Sequence, residues 1–274
     1  MLSYQHGYHA GNFADVHKHA IYALVLDYLL AKPKPLACMD LYAGRGAYDL
    51  RDAMAHKTGE AAQGILKLWS QPWPELLGKW RAVLEQVGGP NLRAYPGSPL
   101  LAAKLLREQD RLVFNELHPA EHRVLAESVR YDSRAHLHRR PALEALPALV
   151  PPVEKRGVVL LDPAYEVKTE YAEVAEGVSR ALRQWSSGTF MVWYPLLPEK
   201  RHRVLVDKLL ALTGRHLLSE LVVGNGGEGM YGSGMIVLNP PFVLADQLRQ
   251  LAPFFAPLGV DGPATLRVDA GPEC

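Results

Sequence analysis

Residues Gly157 to Glu166 read GVVLLDPAYE, an apolar run that stops abruptly at Asp162-Pro163-Ala164-Tyr165. A buried strand with that ending delivers a carboxylate to the edge of a sheet. These residue types suit chemistry on a nucleobase amine. The Asp162 carboxylate accepts one hydrogen of an exocyclic amino group, the Pro163 carbonyl accepts the other, and Tyr165 offers a ring on which the base stacks. An Asp-Pro turn also opens many ordinary loops, so the tetrapeptide gains meaning only beside a matching cofactor site.

Such a site is legible upstream in LACMDLYAGRGAY, where an apolar run carrying Asp40 leads into Ala43-Gly44-Arg45-Gly46. Gly44 and Gly46 let backbone approach a ligand closely. A bare G-x-G is compatible with a dinucleotide, with S-adenosylmethionine or with no ligand. Glu116 ends a further apolar run, LVFNEL. An acid closing the second strand of a Rossmann-like unit usually holds ribose hydroxyls about 20 residues after the glycines, and here the interval is longer by roughly 50. An insertion accounts for the excess.

The elements that must position these groups follow from periodicity. Residues Ala61 to Trp69 and Glu75 to Val87 show helical apolar spacing around Gln71-Pro72-Trp73-Pro74, which makes residues 51–94 a small helical subdomain inserted between 1–50 and 95–274. On return, Ser98 is suited to cap a helix starting at Pro99; the role is either capping alone or, with the helix N-terminus beside the glycine turn, also facing the cofactor. Strands near Leu36, Leu112, Ala135, Val158, Phe190, Leu217 and Met235 alternate with helices from Tyr171 to Trp185 and from Glu199 to Leu212. The last two strands form a hairpin around Gly224 to Gly232. The fold class is therefore α/β, a Rossmann-like methyltransferase sheet of seven strands with the last antiparallel. Asn239-Pro240-Pro241-Phe242 is on paper a better amine-binding tetrapeptide than DPAY. It ends the reversed strand, however, and so belongs to the opposite sheet edge and to structural work.

Histidines 6, 9, 17 and 19 invite a metal reading, but His17 and His19 point apart on a helix and no cysteine or acidic cluster completes a shell. No metal is expected. Two cysteines, Cys38 and Cys274, give no disulfide framework, and the N-terminal segment lacks the order of a signal peptide. No apolar run reaches membrane-spanning length, so the expected location is the cytoplasm. A net charge of +1 excludes a globally basic nucleic-acid binder. Any such surface is local, at Arg134 to Arg140 or at Lys200-Arg201-His202-Arg203, where cations crowd a helix start. Gly7 and Gly11 flank aromatic and histidine positions, and residues 1–12 read as a mobile lid ordered by ligands.

The chain resembles the RlmJ family of bacterial ribosomal RNA adenine-N6 methyltransferases through MLSYQHGYHAGNFADVHKH, AGRG, YPGSPL, ELHP, LLDPAYE, WYPL and SGMIVLNPP, segments spread over nearly its whole length. The resemblance implies S-adenosylmethionine as donor and N6 of adenine 2030 of 23S rRNA as acceptor, in naked RNA or in an early assembly particle. It places His19, Tyr42, Ser98, Glu116 and Asp162 at the cofactor, with Asp162 also catalytic, and Tyr4, His6 and Lys18 beside the substrate pocket. Three positions depart from the family pattern: Ala164 where proline is usual, Tyr42 where histidine is common, and Pro141-Ala142 where Asp-Gly is expected. The last leaves the Ala142 amide to read the cofactor's adenine. Taken alone, the tetrapeptide also permits a DNA adenine or a protein amide as substrate, and a noncatalytic RNA-binding relative is a third reading.

Overall fold

Leu36 to Leu41, Leu112 to Phe114 and Val158 to Leu161 are almost fully buried. Runs that exclude water on both faces sit in the middle of a parallel sheet covered by helices. The computed structural model describes residues 6–52, 59–227, 229–272 and 274. In it β1 (Ala37–Asp40) lies between β4 (Arg111–Asn115) and β6 (Gly157–Leu161), flanked by β5 (Ala135–His138) and β7 (Thr189–Leu196), all parallel. Strand β9 (Gly232–Leu238) is antiparallel between β7 and β8 (His216–Val222), giving the expected hairpin.

The seven expected strands are joined by an eighth. Strand β10 (Thr265–Ala270) pairs antiparallel with β8 at the edge of the order β10-β8-β9-β7-β6-β1-β4-β5. Only Leu266, Val268 and Ala270 face inward from it, and so short a half-buried alternation is easily missed. A second small sheet joins β2 (Ala47–Asp49) to β3 (Ala94–Pro96) at the neck of the insertion.

Ten α-helices are described: α1 (Phe13–Leu30), α2 (Glu60–Gln63), α3 (Ile65–Trp69), α4 (Gly78–Gly88), α5 (Ser98–Leu105), α6 (Pro119–Ser128), α7 (Ala142–Leu149), α8 (Glu170–Gln184), α9 (Arg203–Leu210) and α10 (Leu244–Phe255). Helix α1 is buried along most of its length and shares one core with Ile65, Leu68, Trp80 and Leu84 of the insertion and with Leu248 and Phe255 of α10. Helices α7, α8 and α9 build the core on the other face from Leu146, Val174, Val178 and Leu205.

Strand alternation decides the direction of every carboxylate. Cys38, Leu112, Phe114, Val158 and Leu160 belong to the α1 core, whereas Met39, Val113, Val159 and Leu161 belong to the other. Asp40, Glu116 and Asp162 continue the first parity, so all three turn toward α1 and α5. Asp40 is the register partner of Phe114 on one side and of Leu160 on the other, which brings the three acids to one crevice at the carboxyl edge. Chain connections diverge there, from β1 to β4 and from β6 to β7, as at a ligand-binding switch point.

Three local expectations are corrected. Ser98 does not cap α5. Gly97 holds the cap position, and no side chain caps the helix. Helix α9 begins at Arg203 rather than Glu199, because Lys200 adopts a φ of 52° and its amide closes a turn onto the Leu197 carbonyl at 2.9 Å. The lid reading of residues 1–12 fails for its second half. Asn12 caps α1 by accepting from the Asp15 amide at 2.9 Å, Asp15 accepts from the Gly11 amide at 2.9 Å, and the Gly11 carbonyl accepts from Ile65 at 2.8 Å.

Candidate active site

Two cavities meet at Lys18, Asp162 and Ala164. The larger, about 410 Å³, lies over the glycine turn and is lined by His19, Tyr42, Gly44, Ser98, Glu116 and Ala142 among others. Six residues assigned to the cofactor from sequence are thereby brought together with Asp162. Gly46 is not among the lining residues. Its φ of 88° shapes the turn, and its carbonyl accepts the Gly97 amide at 2.7 Å, docking the turn beneath α5. Arg45 clamps the same turn to α6 through two hydrogen bonds to Glu121, at 2.8 and 2.6 Å. Asn115 fastens the neighbouring strand ends by donating to the carbonyls of Leu41 and Arg140.

Glu116 accepts the Gly44 amide at 2.8 Å and the His118 amide at 2.7 Å. Burial pushes its pKa up, and the two amides oppose that rise. A carboxylate has about four acceptor positions, so lone pairs remain for ligand hydroxyls. His19 is locked by a 2.7 Å hydrogen bond with the Tyr95 hydroxyl and by stacking on that ring.

Asp40 is the site residue that sequence reasoning passed over. Its Oδ1 accepts the Tyr42 amide at 3.2 Å, whereas its Oδ2 is buried without a hydrogen-bond partner. Burial pushes the carboxyl up to about 7, the neighbouring Ser98 hydroxyl draws it down without completing a bond to Oδ2, and the Asp162 charge raises it further. The available signal was an acid inside an otherwise apolar central strand. Such a group is rarely buried unless something pairs with it.

The smaller cavity, about 230 Å³, has Asp162 and Pro163 at its base, Tyr165, Trp193 and Leu197 on its walls, and His9 and Met230 also among its lining. Tyr165 takes a φ of 52° and lines the cavity. Its hydroxyl donates to the Trp193 carbonyl at 2.7 Å, and one ring face is stacked on Tyr171 with centroids 4.1 Å apart. Trp193 is fixed in turn by an indole bond to Ser233 Oγ at 3.0 Å, and Ser233 also bonds the buried His17. Burial lowers the His17 pKa to about 3, so this network is neutral and structural.

Lys18 is buried between two acids. Its ammonium bonds Asp15 Oδ1 at 2.8 Å and Asp162 Oδ2. Burial disfavours its charge, but Asp15 and Asp162 outweigh that penalty and hold its pKa above the usual lysine range. Asp162 is thereby held through one oxygen, and it lines both cavities. Tyr4 lies outside the described residues, as does the side chain of His6, whose backbone opens a short 3-10 helix to Tyr8. Among the described residues no group of three or more His, Cys, Asp or Glu could hold a metal, and no helix is long and apolar enough to cross a membrane. The Asn239 tetrapeptide sits at the opposite edge, with its side chain donating to the Ser186 and Gly188 carbonyls at 2.8 Å.

Residues 33–266 match the family described as Ribosomal RNA large subunit methyltransferase D, RlmJ. The chain is 40% identical over 261 residues to Ribosomal RNA large subunit methyltransferase J of Escherichia coli K12, covering 93% of this chain and 92% of that one. It is 37% identical over 260 residues to the protein of the same name from Haemophilus influenzae, with the same coverage. The solved structure of a Legionella pneumophila protein superposes with a TM-score of 0.88 at 34% identity, covering 97% of this chain and 99% of the other. Matching at this length, together with a Rossmann-like sheet carrying its acids at the switch point, establishes that the chain belongs to the RlmJ family of ribosomal RNA large-subunit methyltransferases.

Proposed function

We propose that this chain transfers a methyl group from S-adenosylmethionine to N6 of adenine 2030 in 23S rRNA. The observation that carries the reading is a single carboxylate, Asp162, shared by a cavity floored with a glycine turn and an aromatic-walled cavity of nucleobase character. The residues of the larger cavity fit the cofactor. Asp40 Oδ2, buried and without a partner, suits the cofactor's ammonium, and Glu116 beside the Gly44 turn suits its ribose hydroxyls. When bound, the cofactor supplies an electrophilic methyl group.

The protein's own work is positioning and charge. The adenine must leave its stack to reach Asp162, and Tyr165, backed by Tyr171, presents a ring for it to rest on. Asp162 and the Pro163 carbonyl accept the two amino hydrogens, drawing the nitrogen lone pair out of conjugation and stabilising the positive charge that develops on N6, which is discharged as N6 releases one proton to solvent along its hydrogen bond to Asp162. Lys18 pairs with Asp162 and aims it, and Asp15 holds Lys18. Holding donor and acceptor in line supplies most of the remaining rate.

The test is transfer of labelled methyl groups to unmodified 23S rRNA, offered in competition with adenine-containing DNA and with protein extract. Label in the RNA alone is the expected result. Label chiefly in DNA or protein overturns the reading.

A further inference from the structure

We infer that Lys200, Arg201 and Arg203 form the lip that grips RNA phosphates beside the target nucleotide, an inference resting on the reading that an RNA adenine enters the cavity at Asp162. The cluster adjoins that cavity at Leu197 and, through Tyr171, at Tyr165. The Lys200 amide is bonded to the carbonyl of Leu197, which lines the cavity, at 2.9 Å. The charge of Arg201 is felt at Tyr171, whose ring is stacked on Tyr165. All three cations are exposed, and among the described residues none of their side chains makes a hydrogen bond or ion pair.

In the other basic cluster Arg134 is committed to the fold, whereas Arg139 is exposed and Arg140 Nε is buried without a hydrogen-bond partner. Arg134 binds Asp132 through two nitrogens and donates to the carbonyls of Ala103, Leu106 and Arg107. Charge also decides the direction in which RNA leaves the site. The cofactor cavity is lined by Glu116, Glu144, Glu170 and Glu173, with Glu121 paired to Arg45, and these acids repel a polyanion, so the backbone runs out over the β7 side.

The start of α9 adds a second observation. No acid occupies its first turn and no side chain caps it, so three cations lie at or just before the positive end of a helix. His202, only 4% exposed and stacked on Tyr194, leaves Nδ1 without a hydrogen-bond partner at the same place. A phosphate there supplies acceptors for the free amides at the helix start.

The experiment compares the triple variant Lys200→Gln, Arg201→Gln, Arg203→Gln with a control triple, Lys32→Gln, Lys34→Gln, Lys155→Gln, at exposed positions preceding the amino ends of β1 and β6. Binding of a 23S rRNA fragment containing the target is measured against salt concentration. The lip variant is expected to bind about tenfold or more weakly, with the log–log salt slope reduced by about 2, since each phosphate contact to single-stranded RNA contributes about 0.7. Its affinity for S-adenosylmethionine and its Tm should match wild type, and the control should keep the full slope. Unchanged RNA affinity and slope in the lip variant, with wild-type protein binding and methylating the fragment, overturn the lip alone. Wild-type protein that neither binds nor methylates it overturns both the lip and the functional reading.

Discussion

At the scale of single residues, three carboxylates in one crevice are kept in different states by their surroundings. Asp162 is ion-paired to Lys18, Glu116 is bonded by two amides, and Asp40 is buried with one oxygen unanswered. Replacing Asp162 with Ala or Asn should lower methyl transfer about 100-fold or more, the loss typical of removing one aligned polar group from a transition state, while the fold survives. Steady-state kinetics on melted-and-checked variants decides this. Glu116→Ala should weaken S-adenosylmethionine binding by about 1.5 to 3 kcal/mol, as for hydrogen bonds to a charged group. Unchanged affinity by calorimetry would remove Glu116 from the site. Asp40 titrates at about 7 in the folded protein against 3.8 ordinarily. Between those values the folded chain holds a proton that the unfolded chain has released, so this contribution to stability falls as pH rises through that window. Asp40→Asn should therefore raise Tm at pH 8 and leave it unchanged at pH 4, while weakening cofactor binding at pH 8. An equal Tm shift at both pH values contradicts the assignment.

At the scale of elements, strand parity explains why the site was legible before the fold was known. An apolar run ending in Asp162, another ending in Glu116 and a glycine turn after Asp40 are each local signals, and a parallel sheet delivers all their ends to one edge. The same rule separated DPAY from the Asn239 tetrapeptide, since β9 runs against β7. Asn239→Ala should accordingly keep transfer activity but lose about 1 to 2 kcal/mol of stability with its two side-chain hydrogen bonds, read as a lower Tm. Loss of activity at unchanged Tm would return that tetrapeptide to consideration. What the sequence concealed depended on contacts distant along the chain. Ser98 looked like a cap because serine usually caps; it lies beside Asp40 because β1 and α5 meet, which no local pattern states. The start of α9 moved because Lys200 takes a left-handed backbone conformation that its residue type does not announce. Residues 9–12 looked like a loose tail, yet His9 bonds Glu60 at 2.8 Å and Asn12 bonds the same carboxylate at 2.9 Å, tying the segment to the insertion.

At the scale of the whole molecule, α1 is the element on which the other parts converge. Its first turns hold Asp15 and Lys18 against Asp162, His17 reaches β8 and β9, His19 reaches Tyr95 beside the insertion, and its apolar residues share a core with Trp80 and Phe255. The helix thus links the larger cavity, the smaller cavity and the helices of residues 51–94 in one packed body. Charge is divided across that body as well, with acids lining the larger cavity and exposed cations after β7. The central claim is that this arrangement directs a methyl group to an exocyclic adenine nitrogen. Mass spectrometry of nucleosides from 23S rRNA, digested after incubation with wild-type protein and S-adenosylmethionine, tests it most directly. N6-methyladenosine as the sole new nucleoside, mapped to one adenine and absent when Asp162→Asn protein is used, is the predicted result. Methylation of a ring nitrogen, of a ribose or of another base, or undiminished N6-methyladenosine with Asp162→Asn, would contradict it.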